Sequence, residues 1–233
     1  RILKMAAPRG SCLFVVSSAV EGVSAQSFLQ SYSLISQSFA IQLASPNGRQ
    51  VEYVHQDDSN RRWFNEFRSK STSTPIGLET VDVNRYSAML IPACPGAVHD
   101  LANNTDLGQL IAHFVAEKKP ICAIGMGVAA LCCARKDDGK SWHLGEYCMT
   151  APSVFELAHL PEFPSLPVIP EDFIKDHGGK YASSENNAVH MVVDRHLITG
   201  QNEASTLTAV QNLILMCTQK QKPRVPSTNK FQH

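Results

Sequence analysis

A buried strand that turns directly into a buried helix is the feature that most constrains the fold of this chain. Residues 120–124 form a short apolar run after a proline, residues 128–133 form another, and Gly125-Met126-Gly127 lies between them. Such a turn lies at the carboxyl edge of a sheet, below a space where backbone N–H groups can bind an oxyanion. The segment has the outline of a nucleophile elbow with glycine at the nucleophile position. The alternative is that Gly125 and Gly127 only allow the helix to pack closely on the strand.

The other apolar runs predict alternating strands and helices. Strands are predicted at residues 12–16, 40–44, 89–91, 121–124, 189–193 and 197–199, and helices at 100–117 and 205–217. Leu207, Val210 and Ile214 of the last helix are expected to face the core. Another helix is indicated after the first strand. This alternation predicts an α/β fold with a doubly wound, mostly parallel sheet and helices on both faces.

The length of 233 residues favours one large domain. We expect this domain to span residues 11–218, between a flexible N-terminus at 1–10 and a disordered polar tail at 219–233. Residues 51–86 are polar and are predicted to form a helical insertion. Trp63, Phe64 and Phe67 would pack this insertion onto the domain.

The charges and cysteines argue against several classes of function. The chain has 21 basic and 21 acidic residues, so no overall field favours nucleic acid or an anionic membrane. Its seven cysteines lie mostly in apolar runs without a CxxC pair, and its nine histidines are scattered. We therefore expect no metal, no cofactor and a reducing compartment. The lack of a long apolar run or a signal-peptide pattern predicts a soluble, cytoplasmic protein without membrane insertion.

Four segments together resemble a known family. They are Glu21-Gly22-Val23 with Phe28, residues 91–101 (IPACPGAVHDL), residues 123–131 (AIGMGVAAL) and residues 197–205 (LITGQNEAS). Their sequence and order resemble the DJ/PfpI superfamily of class I glutamine-amidotransferase-like folds, and especially its branch of Hsp-type chaperone and glyoxalase relatives. The resemblance implies a flavodoxin-like fold and a homodimer or higher homo-oligomer.

The resemblance also implies that the catalytic site is lost. In active relatives an elbow cysteine, a histidine and an acid act together, and the thiolate attacks a carbonyl carbon. The cysteine maps to Gly125 and the histidine to Met126, so that only the acid, Glu21, remains. We therefore expect a pseudoenzyme with no catalytic residues and a vestigial site at these three positions.

The loop that would bind an oxyanion is also altered, because it reads Ala93-Cys94-Pro95 and proline has no backbone N–H. Its remaining candidates for an oxyanion or ligand loop are Gly96 and Ala97, together with Gly127 of the elbow. Cys94 in this loop is the best candidate for a relocated thiol. The alternative for Cys94 is a buried residue that fills a reduced pocket.

Three functions remain open at this point. The preferred one is an adaptor subunit that binds other proteins; one family member nearly collinear with this chain belongs to the FERRY complex. That complex is a Rab effector linking mRNA to early endosomes, so the resemblance implies recruitment to early endosomes, other protein subunits as partners, indirect RNA contact and no DNA contact. The second is a glyoxalase-, deglycase- or hydrolase-like enzyme that uses Cys94 and Glu21. The third is a metabolite sensor that binds through Glu21 and the elbow N–H groups.

Overall fold

The computed structural model describes residues 10–220. The predicted flexible N-terminus and disordered tail therefore lie almost entirely outside the described residues. The last helix continues to Lys220, so the first two residues assigned to the tail are helical.

The described residues form eleven strands and seven α-helices. The strands are β1 (Ser11–Val15), β2 (Val23–Ser24), β3 (Ala40–Ser45), β4 (Tyr53–Val54), β5 (Ile76–Gly77), β6 (Ala88–Ile91), β7 (Ile121–Ile124), β8 (Cys148–Met149), β9 (Lys180–Tyr181), β10 (Met191–Asp194) and β11 (Leu197–Gly200). The helices are α1 (Ala25–Ile35), α2 (Asp58–Arg68), α3 (Ala97–Asp100), α4 (Thr105–Ala116), α5 (Val154–Leu157), α6 (Pro170–Asp176) and α7 (Thr206–Lys220). A buried 3-10 helix, Gly125–Cys133, follows β7.

Seven strands form one sheet in the order β10-β11-β7-β6-β1-β3-β5. All neighbours pair in parallel except β10, which is antiparallel to β11. After β1 the chain adds β3 and β5 on one side of it, and then β6 and β7 on the other side. Crossovers between parallel strands are right-handed by the general rule, and two opposite directions of crossing place helices on both faces of the sheet. The predicted flavodoxin-like α/β fold is confirmed.

Two details of the helices correct the prediction. The helix predicted at 100–117 begins five residues later, at Thr105 of α4, because the Asn104 side chain accepts a hydrogen bond from the Leu107 N–H at 2.9 Å and caps that helix. Asp100 is the last residue of the separate short helix α3. In α7, Leu207 is 43 % exposed and does not face the core. The buried positions of α7 include Val210, as predicted, and also Ala209, Leu213 and Cys217.

An aromatic cluster attaches residues 51–86 to the sheet. Ring centroids of Trp63 and Phe67 in α2 are 4.8 Å apart, and Phe67 lies 5.5 Å from Phe28 of α1. Tyr53 lies 4.3 Å from Phe64. The predicted packing by the three aromatic residues of α2 is therefore present. The segment is not only helical, since it also supplies β4 and the edge strand β5.

Phe67 is fully buried at the centre of this cluster, so its removal leaves a cavity that α1 and α2 cannot easily fill. We expect Phe67→Ala to lower the free energy of unfolding by about 3–5 kcal/mol, measured by urea denaturation. The control is Phe155→Ala, because Phe155 is 67 % exposed. Phe155→Ala should lower the free energy of unfolding by about 0.5 kcal/mol or less. Similar losses in both variants would contradict the cluster's role.

Candidate functional site

The elbow has its expected backbone shape without a nucleophile. Gly125 follows β7 directly and has φ of +53°, a left-handed conformation that glycine adopts without strain. A Cβ atom at this position would lie 3.3 Å from the Ala93 Cβ and 3.8 Å from the Asn202 carbonyl carbon. The strand, turn and helix of a nucleophile elbow are therefore all present, but the 3.3 Å approach and the positive φ leave little room for a side chain at its first residue.

A cavity of about 480 Å³ lies over the elbow. Gly125 and Met126 line it, while Glu21 and Cys94 do not. The other lining residues come from six further parts of the chain and are Ser24, His55, Ala93, Pro95, Pro152, Glu156, Leu157, His159, Leu160, Asn186, Asn187, Asn202 and Glu203. The predicted vestigial site is therefore only partly assembled around this cavity.

Glu21 lies on the surface and outside the cavity. A tight turn, closed by a hydrogen bond from the Gly22 N–H to the Ala19 carbonyl at 3.0 Å, places Glu21 beside α3. There its Oε1 lies 3.6 Å from Nε2 of His99, and both side chains are partly exposed. Glu21 also does not cap α1, because Ser24 does so with an Oγ that accepts from the Ser27 N–H at 3.2 Å. The structure thus separates the one acid expected to survive from the elbow.

The predicted oxyanion or ligand loop is used for packing. The Gly96 N–H donates to the Gly22 carbonyl and the Ala97 N–H to the Cys94 carbonyl, each at 3.0 Å. A Cβ on Gly127 would lie 2.2 Å from the Pro92 carbonyl oxygen, and one on Gly96 would lie 2.3 Å from the Ser17 Oγ. None of Gly96, Ala97 and Gly127 lines the cavity. The close-packing interpretation is therefore supported for Gly127, and Gly96 shows a similar close approach.

The chain is similar to curated proteins over most of its length. It is 55% identical over 207 residues to "Glutamine amidotransferase-like class 1 domain-containing protein 1" of Xenopus laevis, covering 89% of this chain and 90% of that protein. The human protein of the same name is 51% identical over 209 residues, covering 90% of this chain and 94% of its own. The chain belongs to this family. A scan of protein-family models finds no match.

Several solved structures have the same fold as this chain. Glyoxalase III from Candida albicans superposes with a TM-score of 0.77 at 16% identity, covering 88% of this chain and 96% of that one. Rapid Encystment Protein 24 KDa from Francisella tularensis gives 0.76 at 22% identity, covering 89% and 99%. Schizosaccharomyces pombe DJ-1 gives 0.59 at 15% identity, covering 88% and 90%. The DJ/PfpI-like fold is therefore shown for the family.

Cys94 is poorly suited to replace the missing nucleophile in this family member. Its side chain is fully buried, and burial raises the pKa of the thiol to about 12, although a hydrogen bond from the Ser17 backbone acts in the opposite direction. At neutral pH the group is therefore a neutral thiol, which is a weak nucleophile. Burial also raises the pKa of Cys122, and that of Cys132 to about 12, as expected for core cysteines.

The residues that sequence analysis missed line the cavity beside the elbow. Glu156 Oε1 accepts hydrogen bonds from the Asn187 N–H at 3.1 Å and from Asn202 Nδ2 at 3.0 Å. Its Oε2 accepts from the Ser153 N–H at 3.1 Å, completing a capping box on α5. Asn202 and Glu203 belong to the LITGQNEAS segment, so that motif was the available signal. Nothing in the sequence linked it to Glu156, 46 residues earlier.

Metal-ligand clusters and membrane-spanning helices are both absent from residues 10–220. Between residues 10 and 220, no group of three or more His, Cys, Asp or Glu side chains is arranged to hold a metal ion. In the same part of the chain, no helix has the length and apolar character needed to span a bilayer.

We expect Cys94 to resist alkylation in the folded protein, because the reaction needs an accessible thiolate. With iodoacetamide at neutral pH, peptide mass spectrometry should find the partly exposed Cys148 labelled well before Cys94. In urea the two cysteines should react at similar rates. Labelling of Cys94 as fast in the folded protein as in urea would reinstate the relocated thiol.

Proposed function

We propose that this chain is a non-catalytic member of its family that acts as a structural or adaptor subunit of a multiprotein assembly. The observation that carries the proposal is Gly125, which occupies the nucleophile position of a well-formed elbow. Among the described residues that line the cavity there is no cysteine, and the one hydroxyl, of Ser24, is buried and caps α1. The scaffold is thus retained without the group that would form a covalent intermediate.

An exposed apolar surface at one edge of the sheet supports the adaptor role. β10 pairs only with β11 among the described strands, and its Val193 is 44 % exposed. Leu215 on the neighbouring α7 is 57 % exposed. A hydrogen bond of 3.5 Å from Asn212 Nδ2 to Met191 Sδ joins α7 to this strand. β8 approaches β10 at Asp194, whose carboxylate accepts from the Cys148 N–H at 2.8 Å, but Val193 and Leu215 remain exposed. Exposed apolar residues beside an edge strand are typical of a protein contact.

The identity of the assembly is proposed from the family resemblance. We assign the chain to the FERRY complex, where it would be recruited from the cytoplasm to early endosomes by other protein subunits. The equal numbers of acidic and basic residues favour RNA contact through those subunits rather than directly. Self-association into a homodimer or higher homo-oligomer is part of the same proposal.

We expect the purified native protein to leave methylglyoxal and small ester and amide substrates unconsumed. The Gly125→Cys, Met126→His double variant should also stay inactive, because Glu21 lies outside the cavity and the N–H groups of Gly96 and Ala97 are already bonded. The measurement is substrate loss over time, with Cys94→Ala as a control. Native turnover that disappears in Cys94→Ala would show that the protein is an enzyme.

We expect aspartate at both Val193 and Leu215 to release the protein from its assembly, because two buried charges would destabilise an apolar contact. Tagged full-length chain in gently lysed cells should elute with a large complex on size exclusion, and the double variant should elute as a small species. The control is Phe155→Asp, an exposed aromatic position away from the β10 edge. A native chain that elutes only as a small oligomer would contradict the adaptor role.

A further inference from the structure

The cavity over the elbow has the dimensions of a ligand site. Its volume of about 480 Å³ lies within the range of roughly 300–1,000 Å³ typical of small-molecule pockets. Pro95, Met126, Leu157 and Leu160 supply apolar surface, while carboxylates and side-chain amides supply acceptors. An apolar wall with a few polar groups is the arrangement that binds and orients a small organic molecule.

The charged side chains of the lining are mainly carboxylates. Among the described lining residues there is no lysine or arginine, Glu156 and Glu203 are present, and the two histidines, His55 and His159, add no charge in their neutral form. The N-terminus of the 3-10 helix at Gly125 carries an opposing partial charge of at most about half a unit. Two full negative charges therefore outweigh it, and the cavity favours a cation.

The two carboxylates differ in how far they are already bonded. Glu156 accepts three hydrogen bonds from neighbouring groups, so it mainly fixes the cavity wall. The carboxylate of Glu203 accepts none from the described residues and makes no ion pair with them. Only its backbone carbonyl accepts, from the Oγ1 and N–H of Thr206. Glu203 is therefore free to pair with a ligand at small cost to the fold.

The part of the cavity wall formed by Asn186 and Asn187 is fixed by hydrogen bonds. Residues 183–187 are exposed, but the Ser184 N–H donates to Gln201 Oε1 at 2.8 Å and the Ala188 carbonyl accepts from Asn202 Nδ2 at 2.9 Å. These bonds fix Asn186 and Asn187 at the cavity. Their amide oxygens are acceptors for the N–H groups of an ammonium or guanidinium that Glu203 leaves unpaired.

We propose that the elbow cavity binds a small organic cation, a primary amine or guanidinium joined to an apolar group, with Glu203 as its counterion. The apolar group would contact Met126, Pro95 and Leu160, and the ligand would bind without covalent chemistry. This chemistry differs from carbonyl attack at the elbow, and it goes beyond the adaptor role, on which it does not depend.

The test is an NMR titration of the full chain with three molecules of matched shape: phenethylamine, 2-phenylethanol and phenylacetate. We expect phenethylamine to shift the amide signals of Gly125, Met126 and Glu203 in a saturable manner. The neutral alcohol should bind about tenfold more weakly, since it lacks a charged partner for Glu203. Phenylacetate should not bind, because its charge is repelled by both carboxylates.

Variants of Glu203 separate the counterion from the cavity. Glu203→Gln should weaken phenethylamine binding about tenfold and leave 2-phenylethanol unchanged. Glu203→Lys should reverse the preference toward phenylacetate. Glu185→Gln is the matched control. Glu185 is an exposed carboxylate on the segment that carries Asn186 and Asn187, and it does not line this cavity. Well-dispersed spectra of each variant would verify that it folds.

Three results would overturn the proposal: shifts that map away from the elbow, equal affinity for the amine and the alcohol, or amine affinity unchanged in Glu203→Gln. Stronger binding of phenylacetate by the native chain would also overturn it and would show that the elbow N–H groups dominate. The adaptor role is tested separately at Val193 and Leu215, so failure of one proposal leaves the other intact.

Discussion

The rest of the site depends on direct backbone packing at the carboxyl edge of the sheet. Gly127 lies so close to the loop after β6 that a Cβ would be 2.2 Å from the Pro92 carbonyl oxygen. Gly96 approaches Ser17 to a similar degree. A side chain at Gly127 would push the elbow away from this loop, because close-packed backbone cannot yield without moving whole strands.

The same packing occupies the loop that was expected to bind an oxyanion. The N–H groups of Gly96 and Ala97 are bonded within the packed loops and have no donor capacity left for a developing oxyanion. Cys94 lies in this layer, where burial keeps its thiol protonated. What remains accessible is the space over Gly125, walled by residues from other segments. This arrangement supports the two binding proposals made for the elbow cavity and for the β10 edge.

The fold was predictable because it follows from local patterns. Each strand of the main sheet except β5 was expected within two residues of its observed bounds. β5 has two residues and follows polar sequence, so it carries no apolar run that could be recognised. The start of α4 was predicted too early because a capping asparagine at Asn104 is a weaker signal than the apolar spacing that continues across it. Leu207 was misplaced because periodicity gives the width of an apolar face but not its edges.

The sequence by itself determined the elbow, its glycine and the missing nucleophile, because these are properties of adjacent residues and of their identities. Only the tertiary structure decided which side chains reach the cavity. Glu21 is separated from the elbow by a tight surface turn, whereas Glu156 and Glu203, from distant segments, form its wall. Such contacts depend on the paths of loops to within a few ångströms. Those paths are fixed by long-range packing, which no periodicity along the chain encodes.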